Sequence, residues 1–156
     1  MVQLTGPKKV KTAVFISGNG SNLKSLLKFS SKYKSPIIIK LIVSDNSKAK
    51  GLKFGKKFKI ENFSVNYINK TIAEKKIMSL LIKNKIKLIC LAGFMKILSS
   101  NFIKTFKGKI INIHPSLLPK YKGLNTHLRA ISNNEKYSGC TVHFVNSKLD
   151  SGKIIL

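Results

Sequence analysis

The sequence predicts an α/β protein, a doubly wound and mostly parallel sheet with a C-terminal antiparallel portion. Short apolar runs alternate along the chain with stretches of helical periodicity, the order expected of repeated β-α units. The run at residues 87–92 is almost continuously apolar, as suits a parallel strand covered on both faces. The last two strand-like segments, 141–145 and 153–156, are close enough in sequence to form a hairpin. Ligands of such sheets bind outside the carboxyl ends of the strands.

Residues 12–17 read as the first strand. A Gly-rich turn follows, then an amphipathic helix over 22–33 with Leu23, Leu26, Leu27 and Phe29 on one face. Residues 37–44 are a second apolar strand, 48–59 a helix and 64–68 a short strand. The helix over 71–85 turns Ala73, Ile77, Leu80 and Leu81 inward, and the strand 87–92 comes next. A short helix over 101–106 precedes the strand 109–113. A helix over 125–133 follows a long loop containing Pro and Gly, residues 141–145 alternate again, and 153–156 follow an Asp-Ser-Gly turn. The Gly-rich turn and the end of 109–113 both fall at carboxyl ends of strands.

At 156 residues with 43% apolar content, the chain is expected to form one domain with a buried core, residues 12–156, after a leader of residues 1–11 without ordered structure. No signal-peptide core is present, and no stretch approaches the ~20 apolar residues that span a bilayer. The net charge of +25 makes an anionic substrate, nucleic acid or membrane surface worth weighing. Lysines outnumber arginines 29 to one and are spread along the whole chain, whereas nucleic-acid readers lean on Arg for bidentate contacts. A solvated basic surface therefore ranks above a nucleic-acid binder, and no membrane association is expected. Cys90 and Cys140 form neither a CxxC motif nor a disulfide framework, which fits a reduced, cytoplasmic protein.

The run Asn112-Ile113-His114-Pro115-Ser116-Leu117-Leu118-Pro119 puts an amide and an imidazole two residues apart where a strand ends, so both side chains aim the same way. Two such donors could hold an oxygen that becomes negative during acyl transfer. The alternative is a core histidine in a Pro-rich turn. Ser17-Gly18-Asn19-Gly20-Ser21-Asn22 offers free amides at a helix start, an anion site. Asp45 stands at about the distance of the ribose-binding acid of a dinucleotide site, but Leu23 occupies the place of the third glycine, so a compact phosphate fits better. A plain glycine turn with Ser21 or Asn22 capping the helix remains open.

Gly51 to Lys57 is one residue short of a P-loop and lacks the Ser or Thr after the lysine. Asp150 is one of only two aspartates and sits in a Leu-Asp-Ser-Gly turn. It is either ordinary turn chemistry or a partner that orients His114 and favours its protonated form. His114, His127 and His143 match no familiar ligand spacing, and no metal is expected. Residues 93–98 follow a strand and offer an apolar surface suited to a flat aromatic cofactor or to a core loop.

Four stretches together resemble the phosphoribosylglycinamide formyltransferase family, in its order. They are Ile16 to Leu23, Leu91 to Leu98, Ile111 to His127, and Gly139 to Val145 through Leu149-Asp-Ser-Gly152. The resemblance runs from about Thr12 to the last residue and implies a Rossmann-like formyltransferase fold. It implies transfer of the formyl group of 10-formyltetrahydrofolate to 5'-phosphoribosylglycinamide in purine synthesis, with no metal. Asn112, His114 and Asp150 are then the catalytic trio. Gly20, Ser21 and Asn22 hold the substrate phosphate, and Met95, Lys96, Ile97 and Leu98, with Asn112, line the folate pocket. Lys70 and Lys96 stand where the family commonly has arginine, keeping charge but losing the bidentate fork. A cis peptide is implied at Leu118-Pro119.

The implied mechanism has the substrate amine attack the formyl carbon while Asn112 and protonated His114 hold the oxyanion. Asp150 keeps His114 charged and helps move the proton to the leaving nitrogen. Family members continue past residues 150–156, so a C-terminally incomplete domain is expected. The enzyme alternatives are methionyl-tRNA formyltransferase and formyltetrahydrofolate deformylase, although neither's additional domain is present. From another class, the alternative is a basic nucleic-acid-binding module. A monomer and a homodimer both fit.

Overall fold

A computed structural model describes residues 8–156; the first seven residues of the expected leader lie outside the described residues. Six strands form one sheet, β1 (Val10–Ile16), β2 (Ile37–Ser44), β3 (Glu61–Ser64), β4 (Leu88–Leu91), β5 (Lys109–His114) and β6 (Thr141–Phe144), in the order β3-β2-β1-β4-β5-β6. Every neighbouring pair is parallel except β5 and β6. The expected doubly wound sheet with a C-terminal antiparallel portion is borne out. The helices are α1 (Ser21–Ser30), α2 (Lys53–Phe58), α3 (Lys70–Lys83), α4 (Ser100–Thr105) and α5 (Thr126–Ser132).

Both faces of the sheet are covered, which is why its central strands are apolar throughout. Alternate residues of β1 enter different cores: Ala13 and Phe15 join Leu41, Val43, Ile77 and Leu81 on one side. Val14 and Ile16 join Leu23, Leu27 and Ile42 on the other. Strand β1 pairs with β2 on one side and β4 on the other, so the winding direction reverses between β1 and β4. Crevices form at such reversals. This one is bridged by the Ser17 amide donating to the Gly93 carbonyl at 3.0 Å.

Several boundaries differ from the sequence expectation for physical reasons. Strand β1 begins at Val10, because the Val10 amide donates to the Pro36 carbonyl ahead of β2. The strand expected at 64–68 lies instead at Glu61–Ser64, pairing in register from Leu41↔Glu61 to Ser44↔Ser64. Strand β2 ends at Ser44, whose carbonyl accepts the Val65 amide at 2.9 Å, and the chain then turns through an Asn66 side-chain bond to the Ile68 amide. The helix expected over 48–59 is split into a 3-10 turn, Lys50–Leu52, and α2. The Gly51 amide donates to the Gly18 carbonyl rather than back along a helix.

Helix α1 stops at Ser30, where the Ser30 and Ser31 hydroxyls donate to main-chain carbonyls of the last turn. Phe29 is largely off the buried face. In α3, Ala73, Ile77 and Leu81 are buried as expected, Leu80 is half-buried, and Glu74 is unexpectedly buried beside them. The segment 153–156 pairs antiparallel with β6 through the bridge His143↔Ile154, the Phe144 amide donating to the Lys153 carbonyl, the Ile155 amide to the Val142 carbonyl and the Val142 amide to the Leu156 carbonyl. No helix among the described residues is long and apolar enough to cross a membrane.

Candidate active site

Strand β5 ends in Asn112-Ile113-His114, and its pleat turns Asn112 and His114 to one side as the two-residue spacing requires. Both line a cleft of about 1140 Å³ at the carboxyl end of the sheet. Strand β6 runs antiparallel beside β5 and sets His143 opposite Asn112. Asp150 arrives from the following turn with φ 43, in the left-handed region where Asp is among the more tolerant residues. Gly152 is required there, since a Cβ would stand 1.7 Å from the Phe144 carbonyl oxygen.

Asp150 sits between the two histidines. Its Oδ2 is 3.4 Å from His114 Nδ1 and its Oδ1 is 3.6 Å from His143 Nε2, with the His114, His143 and Asp150 side chains all nearly buried. Oδ2 also accepts the Gly123 amide at 2.9 Å. His114 Nε2 donates to the Tyr121 carbonyl at 2.9 Å. A carbonyl only accepts, so Nε2 carries the proton of that bond and Nδ1 is the ring nitrogen that faces Asp150. His143 Nδ1 donates to the Phe144 carbonyl at 2.8 Å, and with its proton there Nε2 accepts from Asn112 Nδ2 at 3.3 Å. An amide nitrogen carries two N–H donors, so Asn112 keeps one for the cleft.

The expectation that His114 simply points a free donor into the cleft needs amendment, because the loop at 115–125 folds back over it. Ser116 Oγ donates to the Lys120 carbonyl, Tyr121 adopts φ 55, and the Leu118-Pro119 peptide is cis as the resemblance implies. Glu135 clamps this loop by accepting from Lys120 Nζ at 2.8 Å and from the Tyr121 hydroxyl at 2.7 Å. Those hydrogen bonds, from Lys120 first, hold the Glu135 carboxyl below its ordinary value and raise the lysine.

At the other end of the cleft, Gly20 takes φ 74 as the N-cap of α1, and no side chain caps the helix. Capping by Ser21 or Asn22 is therefore not the reason for this sequence. Gly20 and Gly51 face each other so closely that a Cβ on Gly20 would lie 2.9 Å from the Gly51 Cα. The lookalike of a P-loop is thus the packing partner of the turn. Of Gly20, Ser21 and Asn22, Asn22 lines the cleft, as do Met95, Lys96, Ile97 and Leu98 from the loop after β4. Lys70 begins α3 and is exposed, outside the residues that line the cleft.

His143 is the residue that sequence reasoning missed, having weighed it only for metal binding. The available signal was the alternation Thr141, His143 in a strand able to pair with 109–113. Among the described residues no group of three or more His, Cys, Asp or Glu side chains could hold a metal ion. Cys90 is buried in the sheet, which pushes its thiol up to about 11, and Cys140 is exposed.

Residues 10–156 match the formyl transferase family. The trifunctional purine biosynthetic protein adenosine-3 of Gallus gallus is 42% identical over 94% of this chain, which spans 15% of that protein's length. The phosphoribosylglycinamide formyltransferase of Haemophilus influenzae is 42% identical over 94% of the chain, covering 70% of that enzyme. The crystal structure of phosphoribosylglycinamide formyltransferase from Anaplasma phagocytophilum superposes with a TM-score of 0.89 at 42% identity, over 96% of this chain and 70% of the other.

Proposed function

This chain belongs to the formyl transferase family, and from that premise we propose that it transfers the formyl group of 10-formyltetrahydrofolate to the amine of 5'-phosphoribosylglycinamide, a step of purine synthesis. The observation that carries the reading is the meeting of Asn112, His114 and Asp150 beside one cleft. Its volume and the apolar side chains of Leu91, Ile97, Leu98 and Ile103 suit the flat rings of the folate, which supplies an activated formyl group. The uncapped start of α1 at Gly20, Ser21 and Asn22 suits a phosphate, since its amides and dipole favour an anion. Lys96 in the cleft supplies a cation for a folate carboxylate, and Lys70 contributes only longer-range charge.

As the amine attacks, the formyl oxygen gains negative charge. The second N–H of Asn112 holds it, and His114 joins by exchanging the Tyr121 carbonyl for the oxyanion. Asp150, 3.4 Å from Nδ1, orients the His114 ring. The proton lost by the amine passes by way of Asp150 and water to the leaving nitrogen, so no net proton is consumed and no bond to the protein forms. His143 keeps the Asn112 amide oriented. Two unpaired cysteines suit a cytoplasmic setting.

The test is formyl transfer to 5'-phosphoribosylglycinamide by this chain and by its Asp150→Asn form. The wild type should transfer, and the variant should fall on the order of 10²–10⁴-fold in kcat, the range of acid–base groups. Equal turnover by the two would overturn the assignment of Asp150, and no transfer by the wild type would overturn the function.

A further inference from the structure

Two of the five acids of this strongly basic chain, Asp45 and Glu74, hold the loop after β4 that lines the cleft, and neither takes part in the chemistry proposed above. Asp45 follows β2, and its side chain is 8% exposed. One carboxylate oxygen accepts the Ser17 hydroxyl and the other lies 3.8 Å from Lys96 Nζ. The same Ser17 oxygen accepts the Met95 amide at 2.8 Å. Asp45 therefore grips the loop after β4 twice, through Ser17 onto the main chain of Met95 and directly onto the side chain of Lys96. Glu74, itself buried, accepts the Ser99 amide at 2.8 Å and the Ser99 hydroxyl at the far end of that loop. Between these anchors the Phe94 ring packs edge-on against Phe15 and Tyr67.

Met95 and Ile97 remain 61% and 62% exposed on the rim of the cleft, so packing does not hold them. With the dinucleotide role weighed for Asp45 excluded by these contacts, we infer that Asp45 is a positioning residue that holds Met95 and Lys96 in the conformation that receives the folate. A carboxylate that accepts a hydroxyl on one oxygen and faces an ammonium with the other orients the hydroxyl by a charge-assisted hydrogen bond and draws the ammonium by its charge. Ser17 also follows β1 directly and leads into the Gly18–Asn22 turn, so the grip ties the folate-side loop to the phosphate-side turn across the point where the sheet reverses. The folate half of the inference rests on the function proposed above; the loop half does not.

Two readouts on the full chain test it. The first is amide hydrogen exchange over residues 93–98, and the second is the steady-state kinetics of formyl transfer. Asp45→Asn keeps an acceptor for Ser17 but loses the charge that faces Lys96. It should quicken exchange at the Met95 amide and raise the KM for the folate, each on the order of tenfold, as loss of a charge-assisted contact does. Its kcat and its KM for the ribonucleotide should stay within about twofold. In a Lys96→Met background the effect of Asp45→Asn on the folate KM should shrink, since of its two contacts only the one through Ser17 to the Met95 amide is left.

Unchanged exchange at Met95 would overturn the inference. Faster exchange with an unchanged folate KM would also overturn it, reducing the contact to a structural one. Should Asp45→Asn fail to fold, Ser17→Ala removes the bridging hydroxyl and is read by the same exchange and KM. Absence of formyl transfer in the wild type overturns the proposed function, and the exchange at Met95 then still decides whether Asp45 holds the loop.

Discussion

The two ends of the cleft are built by opposite means. At the start of α1 the groups proposed to bind are main-chain amides, shaped by glycine over five consecutive residues, and the one distant requirement is that Gly51 leave room for Gly20. At the end of β5 the groups are side chains brought from β5, from β6, and from the turn that carries Asp150. The first end is a local conformation that tolerates little change in its backbone. The second is a long-range assembly in which each group is oriented by another. It follows that damage to the first should appear as weaker binding, and damage to the second as slower chemistry.

The largest expected effect falls at the assembled end. Asn112→Ala removes the one amide facing the nascent oxyanion and should lower kcat on the order of 10²–10³-fold with little change in either KM, as other oxyanion donors do. A change in the ribonucleotide KM alone would break the comparison. Gly20→Ala should act in the opposite sense. A side chain at φ 74 and 2.9 Å from the Gly51 Cα is strained, costing about 1–3 kcal/mol in melting experiments. The displaced turn should raise the ribonucleotide KM more than it lowers kcat. If a substrate analogue lacking the phosphate showed the same rise in KM, the turn would lose its phosphate role.

The smallest effect concerns the loop that joins Tyr121 to His114. The Glu135 carboxyl is lowered in the folded protein by its hydrogen bonds from Lys120 and Tyr121, so its contribution is present above the ordinary glutamate value of about 4.3 and lost as pH falls through the lowered one. Lys120 is raised, so its share is complete below about 10.4 and lost as pH rises through the raised value. Hydrogen exchange over residues 115–125 should therefore be slowest, relative to Glu135→Gln, between those limits. A constant ratio across pH would remove the clamp from the account.

Much of the fold was legible because it follows from spacing along the chain. Strand β2 lies where its apolar run does, and α3 buries Ala73, Ile77 and Leu81 because they recur at helical spacing. Strand β3 was misplaced because its extent is set by where its partner β2 ends, which is not written in residues 61–68. The burial of Glu74 answers to Ser99, the cap of α4, whose amide and hydroxyl it accepts and which lies 25 residues away in the chain. Lys70 was aligned by resemblance to a folate contact, yet it begins α3 outside the residues that line the cleft.

By itself the sequence determined the order of β-α units, the burial of the sheet on both faces, the glycine turn after β1 and the pairing of Asn112 with His114 on one side of a strand end. These are consequences of covalent spacing and apolar periodicity, which act over a few residues. Only the tertiary structure decided that Asp150 lies between His114 and His143, that the Tyr121 carbonyl occupies His114 Nε2, and that Asp45 and Glu74 hold the loop at 93–99. Those meetings depend on the register of β6 against β5 and on the crossover between β1 and β4. Strand register and topology join residues far apart in the chain, and no local pattern encodes which of them will meet.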